Sequence, residues 1–375
     1  MTAVNRKTVM FLCDYKSCYG GNFIPSLLAL EGGLAGKGYG CVYVLPEAAR
    51  GREWVAQMQA RGCRIEFLDF SQSRRNMIRA VGRLMRLHGV SILHVHFGQV
   101  LNMELLSLLR RDVKVFVHLH SDFSGGKRKL RARLVDWIQY RLLSARIHFL
   151  SVSRALAGVN PGRTTWIPNG LAVERIPCAH RSGAMVRAEN HISGSEFMCL
   201  MFGWSPDIKG VDIAARAVRI LNERDGLPVK LGIVCGREVT RDKMVRYVAR
   251  HTGGSGAESY YVYLEPVEDV FAYHEAADLL LSASRSEGFS YALLEALSLG
   301  KKCVVSDIPG VSWAKAYPVV FPFASEDAEA CAAAVKRALE QRTSEAERAS
   351  VGRAIREAYS IDGWVNAVLK CYESA

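Results

Sequence analysis

Two glutamates, separated by seven residues, stand in the stretch of this 375-residue chain that carries the most evident chemistry. The residues from Ser284 to Asp307 predict the end of a strand, a polar loop, a helix stopped by Gly300 and a further strand. Glu287 precedes that helix and Glu295 lies in its second turn. Free amides at a helix start bind anions, and a nearby carboxylate accepts hydrogen bonds from hydroxyls, which together suit a sugar nucleotide. The alternative makes Glu287 a partner of the helix dipole and Glu295 an exposed helix residue.

Two further segments have the residue types of a phosphate contact. Lys209 is a compact cation, and Gly210 after it lets the backbone come close to a ligand ahead of a helix predicted over 211–224. Gly20 and Gly21 end a polar loop between the first strand and a helix predicted over 23–34. A solvated lysine and a tight structural turn are the respective alternatives.

Four histidines end two consecutive strand-like runs, as His94-Val-His96 and His118-Leu-His120. Alternate residues of a strand share a face, so the four imidazoles could converge, and a zinc-dependent hydrolase has to be weighed. No carboxylate is spaced to complete an H-x-H-x-D-H pattern, although Asp122 follows closely. The sequence therefore predicts no metal site, and it predicts core or rim positions for all of these histidines except His120.

These residues are embedded in a βαβ rhythm, because short apolar runs alternate with helix-length amphipathic stretches. Runs that are apolar throughout are typical of parallel strands covered on both faces. The predicted strands are Thr8–Leu12, Cys41–Leu45, Arg64–Phe67, Ile92–Val95, Val113–His118, Ile147–Leu150, Phe197–Phe202, Lys230–Val234, Tyr260–Tyr263, Leu279–Leu281 and Cys303–Val305. The predicted fold class is α/β, with two doubly wound Rossmann-like domains facing each other across a cleft that holds the ligand.

The rhythm breaks once, over residues 176–196, which carry neither a helical nor a strand period. We therefore predict a first domain over 1–175, a linker over 176–196 and a second domain over 197–357, followed by a terminal helical segment over 358–375. No apolar run is long enough to cross a membrane and no signal-peptide pattern opens the chain, so a cytoplasmic protein is expected. Ten cysteines without a C-x-x-C pair predict reduced thiols.

The net charge of +12 is unevenly distributed. Residues 1–175 hold 26 basic and 11 acidic side chains, a charge of +15, whereas residues 176–375 hold 23 and 26, a charge of −3. Two basic amphipathic segments, 71–88 and 125–146, carry much of the excess, and Trp137 and Tyr140 lie in the second. A solvated face is the ordinary explanation for one such helix, but two in one domain favour an anionic membrane surface.

Nucleic acid is excluded as a partner, since no helix-turn-helix, RNP or zinc-finger pattern occurs. The predicted membrane patch comprises Arg75, Arg79, Lys127, Arg128, Lys129, Arg131 and Arg133.

The segment E-G-F-S-Y-A-L-L-E-A-L-S-L-G, with its Glu-x7-Glu spacing, resembles the signature of family-4 retaining glycosyltransferases of GT-B fold, which include bacterial lipopolysaccharide-core and capsule transferases. Phe202–Asp212 resembles the family's Gly-Arg…Lys-Gly element, and Tyr263–Asp278 resembles the segment that leads into the signature. Ser151-Val-Ser and Ile167-Pro-Asn-Gly resemble the elements that close the first domain. The resemblance covers nearly the whole chain. It implies that the domain over 1–175 binds the acceptor, that the domain over 197–357 binds the nucleotide sugar, and that the terminal helix crosses back onto the first domain.

The resemblance implies a role for each candidate residue. Lys209 would hold the donor diphosphate, Glu287 the sugar hydroxyls and Glu295 the ribose hydroxyls. The other implied donor contacts are the Gly20-Gly21 loop, the backbone near Val267, and Gly288, Phe289, Ser290 and Tyr291. His120 aligns with the family's histidine near the reacting centre, so the implied catalytic residues are His120, Lys209 and Glu287. Asp14, Lys16 and Asp122 are the candidate acceptor contacts.

Two positions depart from the family pattern. Trp204 replaces an arginine that grips the donor diphosphate, so one cation is missing unless Arg237 or Arg285 supplies it. Trp204 itself suits either a stacking role or a place in the core. Glu265 stands where many relatives have glycine, which makes the implied contacts to the base less secure.

The function implied is retaining transfer of a hexose-type sugar from a nucleoside diphosphate, with UDP favoured, to a lipid-linked or surface-glycan acceptor at the inner membrane face. The nucleotide sugar is a co-substrate, and neither a cofactor nor a metal is expected. The alternatives are a UDP-sugar epimerase of GT-B shape, a catalytically silent partner subunit and, least favoured, a metal-dependent hydrolase.

Overall fold

The computed structural model describes residues 7–97, 112–120, 146–154, 164–175, 182–236, 239–253 and 258–374. The chain divides into two compact units. The first consists of Met1–Gly170 and Ile361–Ala375, and the second is the continuous segment Leu171–Ser360.

The first unit is built on a seven-stranded sheet with the order β3-β2-β1-β4-β5-β6-β7, in which every described strand pair is parallel. The strands are β1 Thr8–Cys13, β2 Gly40–Pro46, β3 Ile65–Leu68, β4 Val90–His96, β5 Lys114–Leu119, β6 Ile147–Ser151 and β7 Thr164–Trp166. The first described helices are α1 Phe23–Ala35, α2 Glu53–Ala60 and α3 Arg74–Leu87. All six residues of β1 are buried, as a central strand with helices on both faces requires.

The two faces of this sheet bury different cores. Phe11 and Trp54 belong to the core that includes residues of α1 and α2, whereas Met10 and Met85 belong to the core that includes residues of α3. Consecutive strand residues point to opposite faces, which explains why neighbours in β1 enter separate cores.

The last helix of the chain, Ile361–Ser374, is part of the first unit. Its residues Trp364, Val368 and Tyr372 are buried in the same core as α1. Gly33 of α1 allows the close approach, because a Cβ there would lie 2.9 Å from Val365 Cγ1.

The second unit has a six-stranded sheet with the order β10-β9-β8-β11-β12-β13, again with every described pair parallel. Its strands are β8 Phe197–Phe202, β9 Val229–Val234, β10 Tyr261–Leu264, β11 Leu279–Ser282, β12 Lys302–Ser306 and β13 Val320–Phe323. The remaining described helices are α4 Gly183–Glu189, α5 Pro206–Lys209, α6 Val211–Glu223, α7 Arg241–Thr252, α8 Phe271–Ala276, α9 Tyr291–Ser298, α10 Ala328–Glu340, α11 Glu345–Ala358 and the last helix, α12 Ile361–Ser374.

All eleven predicted strands are present, and the structure adds β7 and β13. Three-residue β7 is too short for its pattern to stand out, and β13 contains Pro322, which argues against a strand in sequence. Because β13 is an edge strand, that proline is tolerated there. The nine described cysteines are free thiols, as predicted.

The segment expected to be a linker contains a helix where it is described. Helix α4 packs on α8 within the second unit: the Gly183 amide donates to Glu275 Oε2 at 2.9 Å, and Arg187 donates to the Ala276 carbonyl at 2.9 Å. The sequence concealed this helix because it is only seven residues long and its stability comes from these contacts.

We expect Gly300→Ala to destabilise the protein strongly. Gly300 follows α9 with a φ of +65°, and a Cβ there would lie 2.2 Å from the Arg348 carbonyl oxygen of α11. Gly226→Ala is the matched control, since Gly226 has the same φ of +65° and open space around it. The control should cost about 1 kcal/mol for the left-handed backbone, and Gly300→Ala a further 1–3 kcal/mol or so for the clash. Urea unfolding followed by circular dichroism measures both, and equal losses would show that Arg348 is not in the way.

Candidate functional site

Lys209 and Glu287 form a half-buried ion pair at the carboxyl edge of the second unit's sheet. Lys209 Nζ lies 2.6 Å from Glu287 Oε1, and the Ser284 hydroxyl donates to the same oxygen at 2.7 Å. The side chains are only 13% and 10% exposed. The structure thus brings together two of the residues for which the resemblance implies diphosphate and sugar contacts.

The turn at Gly210 makes this pairing possible. Gly210 has a φ of +65°, and a Cβ there would lie 2.0 Å from the Ala283 carbonyl oxygen, just after β11. The Arg285 amide also donates to the Ile208 carbonyl at 2.8 Å. Because only glycine fits this contact, Gly210 fixes α5 against the loop that carries Glu287.

Arg285 and Asp212 form a second ion pair close by, with side chains that are 27% and 7% exposed. The guanidinium donates two hydrogen bonds of 2.9 Å to the two Asp212 carboxylate oxygens, and its Nε donates to Glu326 at 2.9 Å. Burial alone would raise the pKa of Asp212, but the hydrogen bonds and charge of Arg285, with the charge of Arg216, lower it. Arg285 is therefore committed to holding α6 against this loop, which removes it as the substitute cation that the sequence considered. Arg237, the other candidate, lies outside the described residues.

Trp204 is a surface residue. The sequence left open either a stacking role or a place in the core, and the structure does not place it in the core. It is 57% exposed, and Lys209 Nζ lies 5.0 Å from its ring centroid. Its backbone packs against Gly236, where a Cβ would lie 2.9 Å from the Trp204 Cα. The indole thus makes a cation–π contact with Lys209 at the position where the resemblance expects an arginine.

Helix α9 starts with a side-chain cap, which the sequence analysis did not single out. Ser290 accepts a hydrogen bond from the Leu293 amide, which leaves the first amides of the helix directed outward. Glu295 is only 6% exposed, so its alternative as an exposed helix residue is wrong. Its Oε2 lies 3.8 Å from Nε2 of the buried His274, a residue that the sequence analysis missed.

Three further donor candidates lie at the start of α9, and a fourth, Val267, lies after β10. Gly288 is buried and Tyr291 is half-buried. The Phe289 ring stacks on Trp313 at 4.4 Å, so its side chain packs in the unit and only its backbone amide suits a ligand contact. Val267 is half-buried in the loop after β10, at the same edge of the sheet.

In the first unit, the Gly20-Gly21 turn joins β1 to α1. Gly21 has a φ of +55°, as a predicted positive-φ turn requires, and the Tyr15 hydroxyl donates to the Tyr19 carbonyl at 3.0 Å. Asp14 and Lys16 form an ion pair of 3.1 Å at the start of this loop. The loop is thus internally braced at the carboxyl end of β1.

The four histidines converge as the strand pattern allows. Nδ1 of His96 lies 2.9 Å from Nε2 of His120, and Nδ1 of His94 lies 2.6 Å from the Tyr372 hydroxyl of α12. His94, His96 and His118 are buried, as predicted for core residues. Burial is the main cause that lowers the pKa of all four, to about 3 for His118. The four imidazoles are therefore uncharged near neutral pH.

Phe97, which the sequence analysis missed, covers this cluster. It directly follows β4 with a φ of +57°, unusual for a bulky residue, and it stacks on His120 at 4.1 Å. It also contacts Phe23 of α1 edge to face at 4.9 Å. Its place right after His94-Val-His96 was the only signal in the sequence.

Helix α3 has the basic face that was predicted. Arg75 and Arg79 are exposed, whereas Met77, Val81 and Met85 are buried on the opposite face. The described helices include none that is long and apolar enough to cross a membrane. The other patch residues and one acceptor candidate lie outside the described residues: Lys127, Arg128, Lys129, Arg131, Arg133 and Asp122.

Comparison with known proteins agrees with this geometry. Residues 196–341, all within the second unit, match the family described as Glycosyl transferases group 1. No curated protein sequence matches the chain.

Solved structures match over both units. A glycosyltransferase from Rickettsia africae ESF-5 has a TM-score of 0.77 at 14% identity, covering 99% of this chain and 98% of that one. Anabaena HepE in complex with UDP-glucose has a TM-score of 0.76 at 14% identity, covering 98% and 100%. WaaG, a glycosyltransferase involved in lipopolysaccharide biosynthesis, has a TM-score of 0.64 at 16% identity, covering 93% and 94%. These identities establish the fold, and the predicted GT-B class of two parallel-sheet Rossmann-like units is confirmed. The family match to the second unit supports a glycosyltransferase.

We expect Asp212→Asn to cost about 3 kcal/mol of stability, because it leaves the Arg285 guanidinium facing an amide in a mostly buried position. Glu326→Gln is the matched control: it removes a charge from the same arginine, but at a largely exposed side chain. The control should stay within about 0.5 kcal/mol of the wild type. Thermal and urea unfolding measure both variants. A loss for Asp212→Asn no larger than that of the control would contradict the assigned role of this pair.

Proposed function

We propose that the protein is a retaining glycosyltransferase that moves a hexose-type sugar from a nucleoside diphosphate, with UDP as the favoured nucleotide, to a lipid-linked or surface-glycan acceptor. The observation that carries the proposal is the Lys209–Glu287 pair beside the capped start of α9, inside the segment that matches Glycosyl transferases group 1. A cation, a carboxylate and outward-facing amides at one sheet edge suit a sugar diphosphate. The UDP-glucose complex of Anabaena HepE supports the same donor class.

In the proposed donor complex, Lys209 turns its ammonium toward the diphosphate, and the Glu287 carboxylate, which it neutralises in the free protein, accepts hydrogen bonds from the sugar. The amides of Gly288, Phe289 and Ser290 face the sugar and its phosphate. Glu295 binds the ribose hydroxyls from its buried position on α9. The backbone near Val267 meets the base.

In the proposed reaction, the acceptor hydroxyl attacks the anomeric carbon on the face from which UDP departs, and the leaving phosphate oxygen takes the acceptor proton. Lys209 and the helix amides stabilise the charge that grows on that phosphate. His120, held by His96, lies beside the reacting centre. The Gly20-Gly21 turn covers the donor phosphate, and Tyr291 completes the donor site. This scheme uses no protein nucleophile and no metal ion at the diphosphate.

Trp204 stands where the resemblance implies an arginine that binds the diphosphate, and its indole contacts Lys209 instead. The proposed site therefore holds the diphosphate with one cation fewer. Arg285 does not supply the missing charge, because Asp212 and Glu326 bind it. We infer that the helix amides carry a larger share of phosphate binding here than an arginine-containing site would require.

The proposed acceptor is a lipid-linked or surface glycan at the inner face of the cell membrane, with Asp14, Lys16 and Asp122 as acceptor contacts. The +15 charge of residues 1–175 and the exposed basic face of α3 support docking on an anionic surface. The similarity to WaaG, which is involved in lipopolysaccharide biosynthesis, supports an acceptor of that kind.

The alternatives make different predictions for a single assay. Purified protein is incubated with UDP-sugars, with and without a glycolipid acceptor, and free UDP is measured. A transferase releases UDP when the acceptor is present. An epimerase would convert the sugar with no such requirement, and a silent partner subunit would bind the donor without turnover.

We expect Lys209→Ala and Glu295→Ala each to weaken UDP-sugar binding roughly 10- to 100-fold, since each removes a charge-assisted hydrogen bond. Isothermal titration calorimetry measures the affinity. Lys370→Ala and Glu340→Ala are controls with the same charge changes at exposed residues that are not among the donor candidates, and they should leave binding unchanged. Wild-type affinity in the first two variants would reject the assigned donor site.

We expect the combined neutralisation of Arg128, Lys129, Arg131 and Arg133 to reduce sedimentation with anionic vesicles, because each basic residue near such a surface adds about 1 kcal/mol. The matched control neutralises four basic residues of the second unit on α7, namely Arg241, Lys243, Arg246 and Arg250. The control should bind vesicles as the wild type does. Equal losses in both variants would indicate a general charge effect and not a patch.

A further inference from the structure

Three buried imidazoles meet at the carboxyl ends of β4 and β5 in the first unit. His94 and His96 lie on one face of β4, and His118 is paired in register with His96. One nitrogen from each of the three lies within 4.8 Å of the others. The ring centroid of His94 is 4.1 Å from that of His96 and 5.5 Å from that of His118. Among the described residues this is the group of side chains whose donor atoms come closest to a metal-binding arrangement.

Four ring nitrogens of these histidines have no hydrogen-bond partner among the described residues. They are Nε2 of His94, Nε2 of His96 and both ring nitrogens of His118, and all four are buried. A buried polar atom without a partner is costly, and four together call for a common explanation. By contrast, Nδ1 of His94 meets Tyr372, and Nδ1 of His96 meets His120.

In His94 and His96, one ring nitrogen has a hydrogen-bond partner and the other has none. Metal-bound histidines show the same pattern. A ligating imidazole typically binds the ion through one nitrogen and donates its other N–H to a neighbouring group, which fixes the ring. His94 and His96 both have that second partner already, and in both rings Nε2 is the buried nitrogen that has no partner among the described residues. Three neutral imidazoles with an open fourth position are a known ligand set for zinc and need no carboxylate.

We propose that His94, His96 and His118 bind one divalent first-row transition-metal ion, with Zn²⁺ as the probe. Tetrahedral coordination at about 2.0–2.1 Å places ligand nitrogens about 3.4 Å apart, so the rings rotate inward to close the site. Water takes the fourth position. The missing H-x-H-x-D-H carboxylate, which led the sequence analysis away from a metal, is not needed for this arrangement. The site does not rest on the proposed transfer reaction.

The metal would also fix the tautomer of His120. With the ion on Nε2 of His96, the single proton of that neutral ring sits on Nδ1 and is donated to Nε2 of His120. His120 then carries its own proton on Nδ1 and acts as a hydrogen-bond donor on the side away from His96. Tyr372 plays the equivalent part for His94, because its hydroxyl oxygen accepts a hydrogen bond from the Nδ1–H of that ring.

The test uses the full-length chain, expressed with added zinc and freed of any polyhistidine tag, because such a tag binds the same ion. Elemental analysis by mass spectrometry gives the metal content. We expect about one zinc per chain in the wild type and less than about a tenth in His94→Gln and His118→Gln. His251→Gln, in helix α7 of the second unit, is the matched control and should keep the zinc. Protein produced with cobalt should show the visible absorption of tetrahedral Co²⁺, and His118→Gln should lose it.

Tyr372→Phe tests the outer partner without touching a ligand. Loss of the acceptor for the His94 Nδ1 proton should weaken zinc roughly 10- to 100-fold in competition with a chelator. Circular dichroism establishes whether each variant is folded. Wild-type protein that carries no transition metal would overturn the proposal whatever the variants do. Zinc retained equally in His94→Gln, His118→Gln and His251→Gln would overturn the assigned ligands.

Discussion

Parallel strand pairing is the constraint on which the rest of this structure depends. It forces every crossover to run back along a face of the sheet, so all loops that follow strands gather at one edge of each unit. Lys209 and Glu287 meet at such an edge although 78 residues separate them in sequence. The Gly20-Gly21 turn and the histidines of β4 and β5 gather at the corresponding edge of the first unit. The candidate chemistry of each unit follows from this geometry before any individual side chain is considered.

The charged residues at the second unit's edge form two ion pairs with different roles. The Arg285–Asp212 pair is bidentate and largely buried, and it holds α6 to the loop after β11. The Lys209–Glu287 pair has a single strong contact, and both partners retain hydrogen-bonding capacity. A ligand that carries both an anion and hydroxyls can satisfy both partners of the second pair: the anion binds Lys209, and the hydroxyls donate to Glu287. Neither charge is then left buried without a partner, which limits the desolvation penalty of binding.

Local patterns predicted most of the fold. The eleven apolar runs, the stop at Gly300 and the basic face of α3 all depend on residues near one another in sequence, where periodicity is informative. Helix α4 and strand β13 were missed because distant contacts stabilise them and a proline disguises the strand. For the site, sequence brought Lys209, Glu287 and Glu295 forward as candidates, but spacing alone favoured an exposed position for Glu295, and only the resemblance made it a ribose contact.

The remaining site contacts could not be predicted because they join remote segments. Nothing near Asp212 marks it as the partner of Arg285, 73 residues away, and nothing near His94 points to Tyr372. Trp204 shows the limit in another way, since an aromatic residue beside a glycine suits core and surface equally. In the structure the Trp204 backbone packs against Gly236, 32 residues further along the chain, and the indole is exposed.

The contribution of α12 to the first unit has a consequence for synthesis of the chain. The second unit is one continuous segment, Leu171–Ser360, so it can complete its core as soon as that segment leaves the ribosome. The first unit begins earlier, but its core lacks Trp364, Val368 and Tyr372 until α12 is translated, after the whole of the second unit. The usual order, in which the N-terminal domain folds first, is thereby reversed for the final packing step. Until that step, one face of the first unit's core stays exposed, so this face is where a nascent chain would need protection from aggregation.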